Sequence, residues 1–462
     1  MVAAPRDTRG GLESGSQPAL LALLRDLTWA LPFSASLAAY LLLLLRCPLL
    51  PGIDGPYYAV QVSHVLRHGC LKYPDPPLAF CAMAALAALL GDTFLAVKVT
   101  ASVLAALSVI PAYYLMREVT DSRATAALSS LAYSLSFYVL RMLGDFMKNA
   151  AGLLWLNLGL WAVLKGLEGE LRLRTAATLY ASALLLSALT HILDFWTLLA
   201  YASLASLIYL ATGPQSTRSL RMTGIVLGVG GAVTAALFLA PWLTGGDIMK
   251  VRSLLAELSA PSGAVHPARP PPTPVSAARV AAPVLLAPLA ALAARGLRSP
   301  ARSSIVLASS AMALLLNLAP LSPQLLFRLN LMSCVPLALM LSALAARLAP
   351  SERWATATLL VTLAVLAHLS VVGGYVPRPS IPPPAYEELK LVVSKASDAV
   401  WLASPRLRYW LETLTDDVVQ HPWEAPPGVR VLLLVDRRSP PPPPWARLVY
   451  AGSFFRVYEL RK

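Results

Sequence analysis

The sequence predicts an all-α polytopic membrane bundle of about eleven transmembrane helices, with a juxtamembrane re-entrant helix and a small C-terminal extracytoplasmic α/β domain. Three observations predict this fold class. Of 462 residues, 57% are hydrophobic and only 13% are charged, about half the charged share of an ordinary soluble domain. Most apolar residues fall in runs close to the roughly 20 residues that cross a bilayer. The segment 376–462 instead alternates short apolar segments with proline-rich breaks.

The charge and cysteine content exclude other classes. The formal net charge is +14, which in a soluble protein would suggest a nucleic-acid partner. Here the basic residues lie mostly in short loops between apolar runs, as in the cytoplasmic loops of membrane proteins, so no nucleic acid is expected. The four cysteines show no C-x-x-C spacing and predict neither a zinc site nor a disulfide scaffold. Residues 1–17 are polar, so no cleavable signal peptide is expected.

The apolar runs define the predicted path through the membrane. Each is long enough, or nearly long enough, to span the hydrocarbon core. The runs cover residues 26–46, 94–116, 124–142, 149–164, 175–190, 195–212, 222–243, 277–294, 303–320, 326–346 and 354–372.

A further apolar run, Pro76–Leu90, is short, and the distribution of Lys and Arg decides its placement. If it does not cross, the five short inner loops hold twelve Lys and Arg residues, whereas the three short outer loops hold only Arg141, Lys148 and Arg328. If it crossed, every later loop would invert and violate the positive-inside rule. We therefore expect a re-entrant or juxtamembrane helix, with a short tilted span as the alternative.

This topology defines three parts of the chain. Residues 1–25 form a cytoplasmic N-terminal segment, and 26–375 form the transmembrane domain with outer loops at 47–93 and 244–276. Residues 376–462 form the extracytoplasmic domain, which opens with the proline-rich linker Val376–Pro384. Its predicted helices are Tyr386–Lys395 and Arg406–Leu414, and its predicted strands are Ala399–Ala403, Val429–Val435, Arg447–Tyr450 and Phe454–Leu460.

Unusual polar residues collect on the outer segments, which predicts chemistry at the external membrane surface. Asp54 lies where the first span ends, among turn-forming residues and before a Tyr57-Tyr58 pair. It is either a fixed carboxylate at the bilayer rim or the N-cap of the helix that Gly55 and Pro56 begin. Other polar residues on this face are Asp75, Asp145, Lys148, Asn149, His191, Asp194, Asp247, Lys250 and Arg328.

The order of these motifs resembles the GT-C class of polyprenyl-phosphate-dependent glycosyltransferases. An acidic residue after the first span, a Tyr-Tyr helix, the segment Tyr73–Leu78 (YPDPPL) and a second acidic residue after the third span carry the resemblance. The class includes protein O-mannosyltransferases, bacterial aminoarabinose transferases and the catalytic subunit of oligosaccharyltransferase. The resemblance covers residues 26–375 in topology, and 47–95 with 140–155 in motif.

The resemblance implies a hexosyl or pentosyl transferase of the cell envelope. It would move a sugar from a polyprenyl-phosphate donor to a hydroxyl of a lipid, glycan or protein acceptor, outside the plasma membrane. Asp54 matches the catalytic aspartate of the first loop, and Asp145 matches the acidic position of the second loop. Two departures argue against transfer of a whole oligosaccharide to asparagine. The tail lacks the WWDYG signature, with Tyr409-Trp410 its nearest approach, and the second loop lacks a D-x-D pair.

The residue types suit this chemistry. A carboxylate can accept the proton of an attacking hydroxyl, and cations can stabilise the departing phosphate. Arg328 could grip phosphate oxygens, or it could be an interfacial arginine. Lys148 lies three residues after Asp145, so a structural ion pair between them is an alternative to phosphate binding. The further candidates for substrate or lipid-phosphate binding are Tyr57, Tyr58, Asp75, His191, Lys250 and Arg252.

Two questions stay open at the level of sequence. Asp54, Asp145 and His191 could together hold a divalent cation such as Mg²⁺ or Mn²⁺, although a metal-free reaction fits equally well. A polytopic transporter or lipid flippase is an alternative function, as is a non-catalytic membrane assembly protein. A transporter should show internal repeats and polar groups at mid-depth, and the sequence shows neither clearly.

Overall fold

The computed structural model describes residues 26–252, 274–348, 377–440, 442 and 445–460. These residues form a helical bundle and a small C-terminal sheet. Among the described residues, seven helical segments are long and apolar enough to cross a membrane, one of them, Thr93–Thr120, made of two consecutive helices; two bent helix pairs raise the number to as many as nine. The helical membrane bundle is thus confirmed, and the count of eleven spans stays a prediction. The N-terminal segment 1–25, most of the loop 244–276 and the predicted span 354–372 lie outside the described residues.

Fifteen described α-helices build the bundle. Short 3-10 turns lie at Leu27–Trp29, Pro241–Thr244 and Asp247–Met249. The helices are α1 (Ala30–Leu45), α2 (Gly55–His68), α3 (Leu78–Leu90), α4 (Thr93–Leu107), α5 (Val109–Thr120), α6 (Arg123–Ser134), α7 (Phe137–Asp145), α8 (Met147–Glu168), α9 (Leu173–Thr190), α10 (Ile192–Thr212), α11 (Thr217–Leu239), α12 (Pro274–Ala294), α13 (Pro300–Leu318), α14 (Pro323–Leu331) and α15 (Cys334–Leu348).

Two of the predicted spans are broken helices. The run 124–142 bends by 41° between α6 and α7, where the Ser136 side chain caps the start of α7. The run 326–346 bends by 41° between α14 and α15. The short limbs α7 and α14 pack against each other. These limbs carry Asp145 and Arg328, so the two breaks bring both residues to one end of the bundle.

Helix α3 contains most of the run Pro76–Leu90. It has 13 residues, or about 20 Å at 1.5 Å per residue, which is too short to cross a hydrocarbon core of about 30 Å. Gly91 ends it in the left-handed conformation, and the Asp92 carboxylate caps α4 by accepting from Phe94 N and Leu95 N. The length of α3 supports the prediction that this segment does not cross.

The loops expected on the cytoplasmic side meet at one end of the bundle. Arg302 binds Asp121 at 2.5 Å and Glu168 at 2.8 Å, and Lys165 binds Glu118 at 2.6 Å. Helix α8 runs from this end to Met147, beside the first outer loop. The predicted grouping of the loops is therefore visible in the fold. Which end faces the cytoplasm stays a prediction.

The tail is the predicted α/β domain. Its elements are α16 (Pro383–Ser394), β1 (Val400–Ala403), α17 (Pro405–Glu412), β2 (Val418–Val419), β3 (Val431–Asp436), β4 (Ala446–Ala451) and β5 (Phe455–Leu460). The five strands have the order β2-β1-β3-β5-β4, with β1 parallel to β2 and β3, and β5 antiparallel to β3 and β4. All four predicted strands and both predicted helices are confirmed. The two-residue strand β2 and a 3-10 turn at Pro422–Glu424 were not predicted from the sequence.

The tail is joined to the bundle at the first outer loop. Gly52 N donates to Arg378 O at 2.8 Å, and the Arg46 guanidinium donates to Pro377 O at 3.1 Å. Trp410 Nε1 donates to the Ser380 hydroxyl at 2.8 Å. The described part of the proline-rich linker therefore lies against the end of α1 and the turn before α2.

Candidate functional site

The two predicted catalytic carboxylates, Asp54 and Asp145, lie near each other at the turn before α2. Ile53 N donates to Asp145 Oδ1 at 2.8 Å, directly before Asp54 in the chain. Gly52 has a φ of +73°, and a Cβ there would lie 2.7 Å from Asp145 Cγ and closer still to its oxygen. Only glycine fits this turn, because the carboxylate occupies the space of a side chain. The turn thus joins two stretches that are distant in sequence.

Asp54 offers an open carboxylate. It occupies the N-cap position of α2, but its side chain makes no capping hydrogen bond, so the alternative that it serves only as a cap is not supported. No described residue forms a hydrogen bond or ion pair with its half-buried side chain. Burial, followed by the charge of Asp145, raises the pKa of Asp54, while nearby Arg328 and Lys148 act in the opposite direction. A carboxylate with a raised pKa and no partner is suited to accept a proton.

Asp145 is held in place, in contrast to Asp54. It ends α7 and pairs with Arg141, one turn earlier on the same helix. The Arg141 guanidinium lies 5.4 Å from the ring centroid of Phe146 and 5.6 Å from that of Phe327. With Ile53 N as a second donor, the Asp145 carboxylate has fixed partners on both sides. From this fixed position the Asp145 charge raises the pKa of Asp54, and its carboxylate holds Ile53 and Arg141 in place.

Arg328 is a cation without an acidic partner among the described residues. It is exposed on α14, and its guanidinium lies 5.6 Å from the Phe146 ring centroid. Its charge lowers the pKa of Asp54, so the two groups share the same electrostatic field. A planar guanidinium with free donors can bind phosphate oxygens in a bidentate manner.

Lys148 and Asp75 form a buried ion pair. The Tyr57 hydroxyl donates to the same carboxylate at 2.6 Å and accepts from Gln61 Nε2 at 2.9 Å. The alternative of an ion pair between Lys148 and Asp145 is not supported, because the chain breaks at Phe146, α8 begins a new helix and Lys148 pairs with Asp75. The expected role of Lys148 in phosphate binding stays a prediction. Lys148, Asp75 and Tyr57 thus stabilise the wall of the site through bonds to one another.

Tyr58 also supports the wall. Its hydroxyl accepts from the Lys148 backbone N–H at 3.3 Å, which ties α2 to the start of α8. Burial, followed by the negative charge of Asp54, raises the pKa of Tyr58 well above its ordinary value. Its phenol therefore stays protonated beside the open carboxylate.

The tail contributes residues that sequence reasoning missed. Tyr409 on α17 lies 5.2 Å from the Tyr57 ring and 6.1 Å from the Tyr73 ring, measured between centroids. Tyr73 donates to Glu412 at 2.6 Å, and Arg408 bonds to both residues. The only sequence signal was the Tyr409-Trp410 pair, which is the nearest approach of the tail to the WWDYG signature. Contacts between the tail and the first loop could not be read from either segment alone.

His191 lies at the junction of α9 and α10, with its Nδ1 3.1 Å from Asp194 Oδ2. Burial, followed by the charges of Lys148, Lys250 and Arg328, lowers the pKa of His191 well below its ordinary value. The lowered pKa favours the neutral imidazole, which bonds to Asp194, and the expected role of His191 in substrate binding stays a prediction. Asp194 is fully buried.

The remaining predicted cations lie on the loop that begins at residue 244. Lys250 pairs with Asp247 at 2.6 Å and is 66% exposed. Gly245 packs directly on the backbone of Asp75, which brings the start of this loop to the wall of the site. Arg252 is exposed at the last described position before residues 253–273. No described contact brings Arg252 to the carboxylates.

The predicted metal-binding set does not form a compact cluster. The ligand atoms of Asp54, Asp145 and His191 do not all lie within 4.8 Å of one another. In the described part of the chain, the acidic cluster with that spacing is Glu118, Glu168 and Glu170, at the opposite end of the bundle. Lys165 pairs with all three of these glutamates and already compensates part of their charge. The donor set at the candidate site therefore does not fit a preformed cation site.

Comparisons with known proteins identify the fold. No protein-family model matches the sequence, and no curated protein sequence matches it. The arabinofuranosyltransferase AftD from Mycobacteria has a similar structure, with a TM-score of 0.51 and 18% identity over 82% of this chain. The chain spans 29% of the length of AftD.

Two solved structures of ArnT from Cupriavidus metallidurans are also similar. The apo structure gives a TM-score of 0.44 at 12% identity, covering 96% of this chain and 98% of ArnT. The structure with bound undecaprenyl phosphate gives 0.42 at 13% identity, covering 94% and 98%. The predicted resemblance to GT-C glycosyltransferases is confirmed at the level of the fold, on the likeness to AftD.

Proposed function

We propose that this integral membrane protein is a glycosyltransferase that moves a sugar from a polyprenyl-phosphate donor to an acceptor hydroxyl. The observation that carries the proposal is the open Asp54 carboxylate, which lies in the field of a second carboxylate and of Arg328, an arginine that pairs with no acid in the described part of the chain. A scaffold protein does not need this arrangement. The fold shared with AftD supports the same class of reaction.

Asp54 is the proposed general base. It accepts the proton of the acceptor hydroxyl while the hydroxyl oxygen attacks the anomeric carbon of the donor sugar. The bond between that carbon and the phosphate oxygen breaks, and its electron pair leaves with polyprenyl phosphate. Attack opposite the leaving group inverts the anomeric configuration. The raised pKa of Asp54 strengthens the carboxylate as a base.

Arg328 is the proposed phosphate ligand. Phosphate leaves without protonation when cations stabilise its developing charge, and charge-assisted hydrogen bonds from arginine are well suited to this. Asp145 raises the pKa of Asp54 and pairs with Arg141, which lies beside Phe146 and Phe327. Arg328 lies over the same Phe146 ring. The lipid phosphate would then lie between the aromatic rings and the open carboxylate.

The proposed location is the extracytoplasmic face of the plasma membrane. The basic loops meet at the end of the bundle opposite the carboxylates, and such loops normally face the cytoplasm. The tail then lies outside, beside the acceptor. The sugar, and whether the acceptor is a lipid, a glycan or a protein, are properties for the assay to identify.

The test measures release of polyprenyl phosphate. Purified protein in nanodiscs is incubated with polyprenyl-linked sugars and acceptors extracted from the source membranes, and free polyprenyl phosphate is quantified by mass spectrometry. Asp54→Asn should lower the rate by about 10²-fold or more, the usual contribution of a general base. Glu387→Gln, which removes an exposed carboxylate paired with Lys390 in the tail, is the matched control and should keep the rate.

The alternatives predict different outcomes. A transporter or flippase would move the intact lipid across the bilayer without releasing polyprenyl phosphate, and Asp54→Asn would leave the chemical composition of the lipid unchanged. An assembly protein would release nothing with either variant. Equal rates for Asp54→Asn and the unaltered protein would remove Asp54 as the base.

A further inference from the structure

The tail contains a second cleft, separate from the candidate site. Its volume is about 630 Å³, within the range of small-molecule sites. None of its lining residues belongs to the site around Asp54. The polar side chains in its wall include Ser404, Arg406, Arg437, Arg438 and Ser439.

The cleft lies where the chain leaves two neighbouring parallel strands toward opposite sides of the sheet. Strands β1 and β3 are parallel neighbours, ending at Ala403 and Asp436. After β1 the chain passes through α17 to β2 on one side, whereas after β3 it continues to β4 and β5 on the other side. In open α/β sheets, ligands bind outside the carboxyl ends of strands at such a switch point. Ser404 and Arg437, the residues that follow these two strands, line the cleft.

The charge of the cleft is not compensated. No carboxylate in the described part of the chain forms an ion pair with Arg406, Arg437 or Arg438. Arg406 donates to Ser380 O and Arg437 donates to Gly452 O, so these carbonyls orient the guanidinium groups without neutralising them.

Other arginines of the same domain differ in this respect. Arg430 and Arg447 both bind Glu459. The acid in the cleft wall, Asp436, accepts from the backbone N–H of Arg438 at 2.9 Å. Three guanidinium groups against one carboxylate therefore leave the cleft positive.

We propose that this cleft binds the phosphomonoester group of a larger organic molecule. The guanidinium groups of Arg437 and Arg438 contact the phosphate, and the hydroxyls of Ser404 and Ser439 supply hydrogen bonds. The volume far exceeds that of a phosphate, and Phe454 in the wall offers an apolar surface to the rest of the ligand. The ligand is either a soluble phosphate ester or the headgroup of a phosphatidic acid.

The experiment titrates the full chain in phosphatidylcholine nanodiscs with sn-glycerol 3-phosphate by calorimetry. The double variant Arg437→Gln/Arg438→Gln should bind at least tenfold more weakly, since each charge-assisted hydrogen bond is worth about tenfold or more. Arg430→Gln/Arg447→Gln removes the same charge from the same domain, outside the cleft wall, and should bind as the unaltered protein does. Matching thermal unfolding temperatures verify that the variants are folded.

A second arm distinguishes the two sources. In nanodiscs that contain phosphatidic acid, a lipid headgroup in the cleft would compete, and the apparent affinity for sn-glycerol 3-phosphate would fall relative to phosphatidylcholine. An unchanged affinity assigns the cleft to a soluble ester. The proposal is overturned if the unaltered protein binds no probe in either arm, or if both double variants bind equally. Loss of the Asp54 function would change neither result.

Discussion

Replacing Gly52 with alanine would test the close approach between the first loop and Asp145. The substitution has two separable effects. The φ of +73° forces any L-residue into the left-handed region, and the new Cβ would lie 2.7 Å from Asp145 Cγ. The new Cβ would lie closer still to Asp145 Oδ1 and to the backbone carbonyl of Gly144. Carbon atoms in favourable contact are about 3.5 to 4.0 Å apart, so the carboxylate and the end of α7 must move by about 1 Å or more.

The expected cost follows from these two effects. The left-handed conformation costs about 1–2 kcal/mol. Displacing Asp145 also breaks its bond from Ile53 N, and a hydrogen bond to a charged group contributes about 1.5–3 kcal/mol. The free energy of unfolding should therefore fall by about 2.5–5 kcal/mol. Because Asp54 directly follows Ile53, a shift of about 1 Å at this turn should lower the transfer rate by about 10²-fold.

Gly69→Ala is the matched control. Gly69 has a φ of +74°, but a Cβ there would meet nothing within 4 Å. It should show the conformational cost alone, with the rate of polyprenyl phosphate release preserved. Thermal unfolding and the release assay are measured for both variants. If Gly52→Ala and Gly69→Ala are equal in stability and in rate, the close approach has no energetic consequence and the argument is refuted.

Three further predictions concern charges in the site. Asp145→Asn removes a negative charge that raises the pKa of Asp54, so the acid limb of the kcat/KM profile should move to lower pH. Arg328→Gln removes a positive charge and should move the same limb to higher pH, while weakening inhibition by added undecaprenyl phosphate. Lys148→Met leaves the buried Asp75 carboxylate uncompensated and should cost about 3–5 kcal/mol of stability, measured by thermal unfolding.

Each of these has a contradicting result. If the acid limb of the kcat/KM profile is the same in Asp145→Asn and in the unaltered protein, the group that titrates in this limb is not Asp54. Undecaprenyl phosphate that inhibits Arg328→Gln at its usual concentration would exclude the arginine as a phosphate ligand. The double variant Asp75→Asn/Lys148→Met should recover most of the lost stability, because neither charge remains buried alone; equal losses in the single and double variants would contradict the pairing.

The elements of the fold were largely readable from local patterns. Apolar runs predicted the long helices, and the alternation of strands and helices in the tail predicted β1, β3, β4 and β5. The breaks after α6 and after α14 were not predicted, because a hydropathy pattern records burial in lipid and does not record a 41° bend. The two-residue β2 has no periodicity to detect.

For the candidate site, the sequence identified Asp54, Asp145 and Arg328 as chemically suitable residues. For Lys148 it left phosphate binding and an ion pair with Asp145 open, whereas the partner in the structure, Asp75, lies on another loop. It also gave no reason to bring Tyr409 to the first loop. Ion pairs and ring contacts between segments depend on distances that only packing sets.

The sequence by itself thus determined that this protein lies in lipid, the approximate positions of its long helices and the residue types available for catalysis. Those properties follow from hydrophobicity and local backbone preference, which act within a few residues. The tertiary structure decided which carboxylate stays open and which is bound. That outcome depends on two bent helices and on Gly52, whose missing side chain leaves the space that Asp145 occupies.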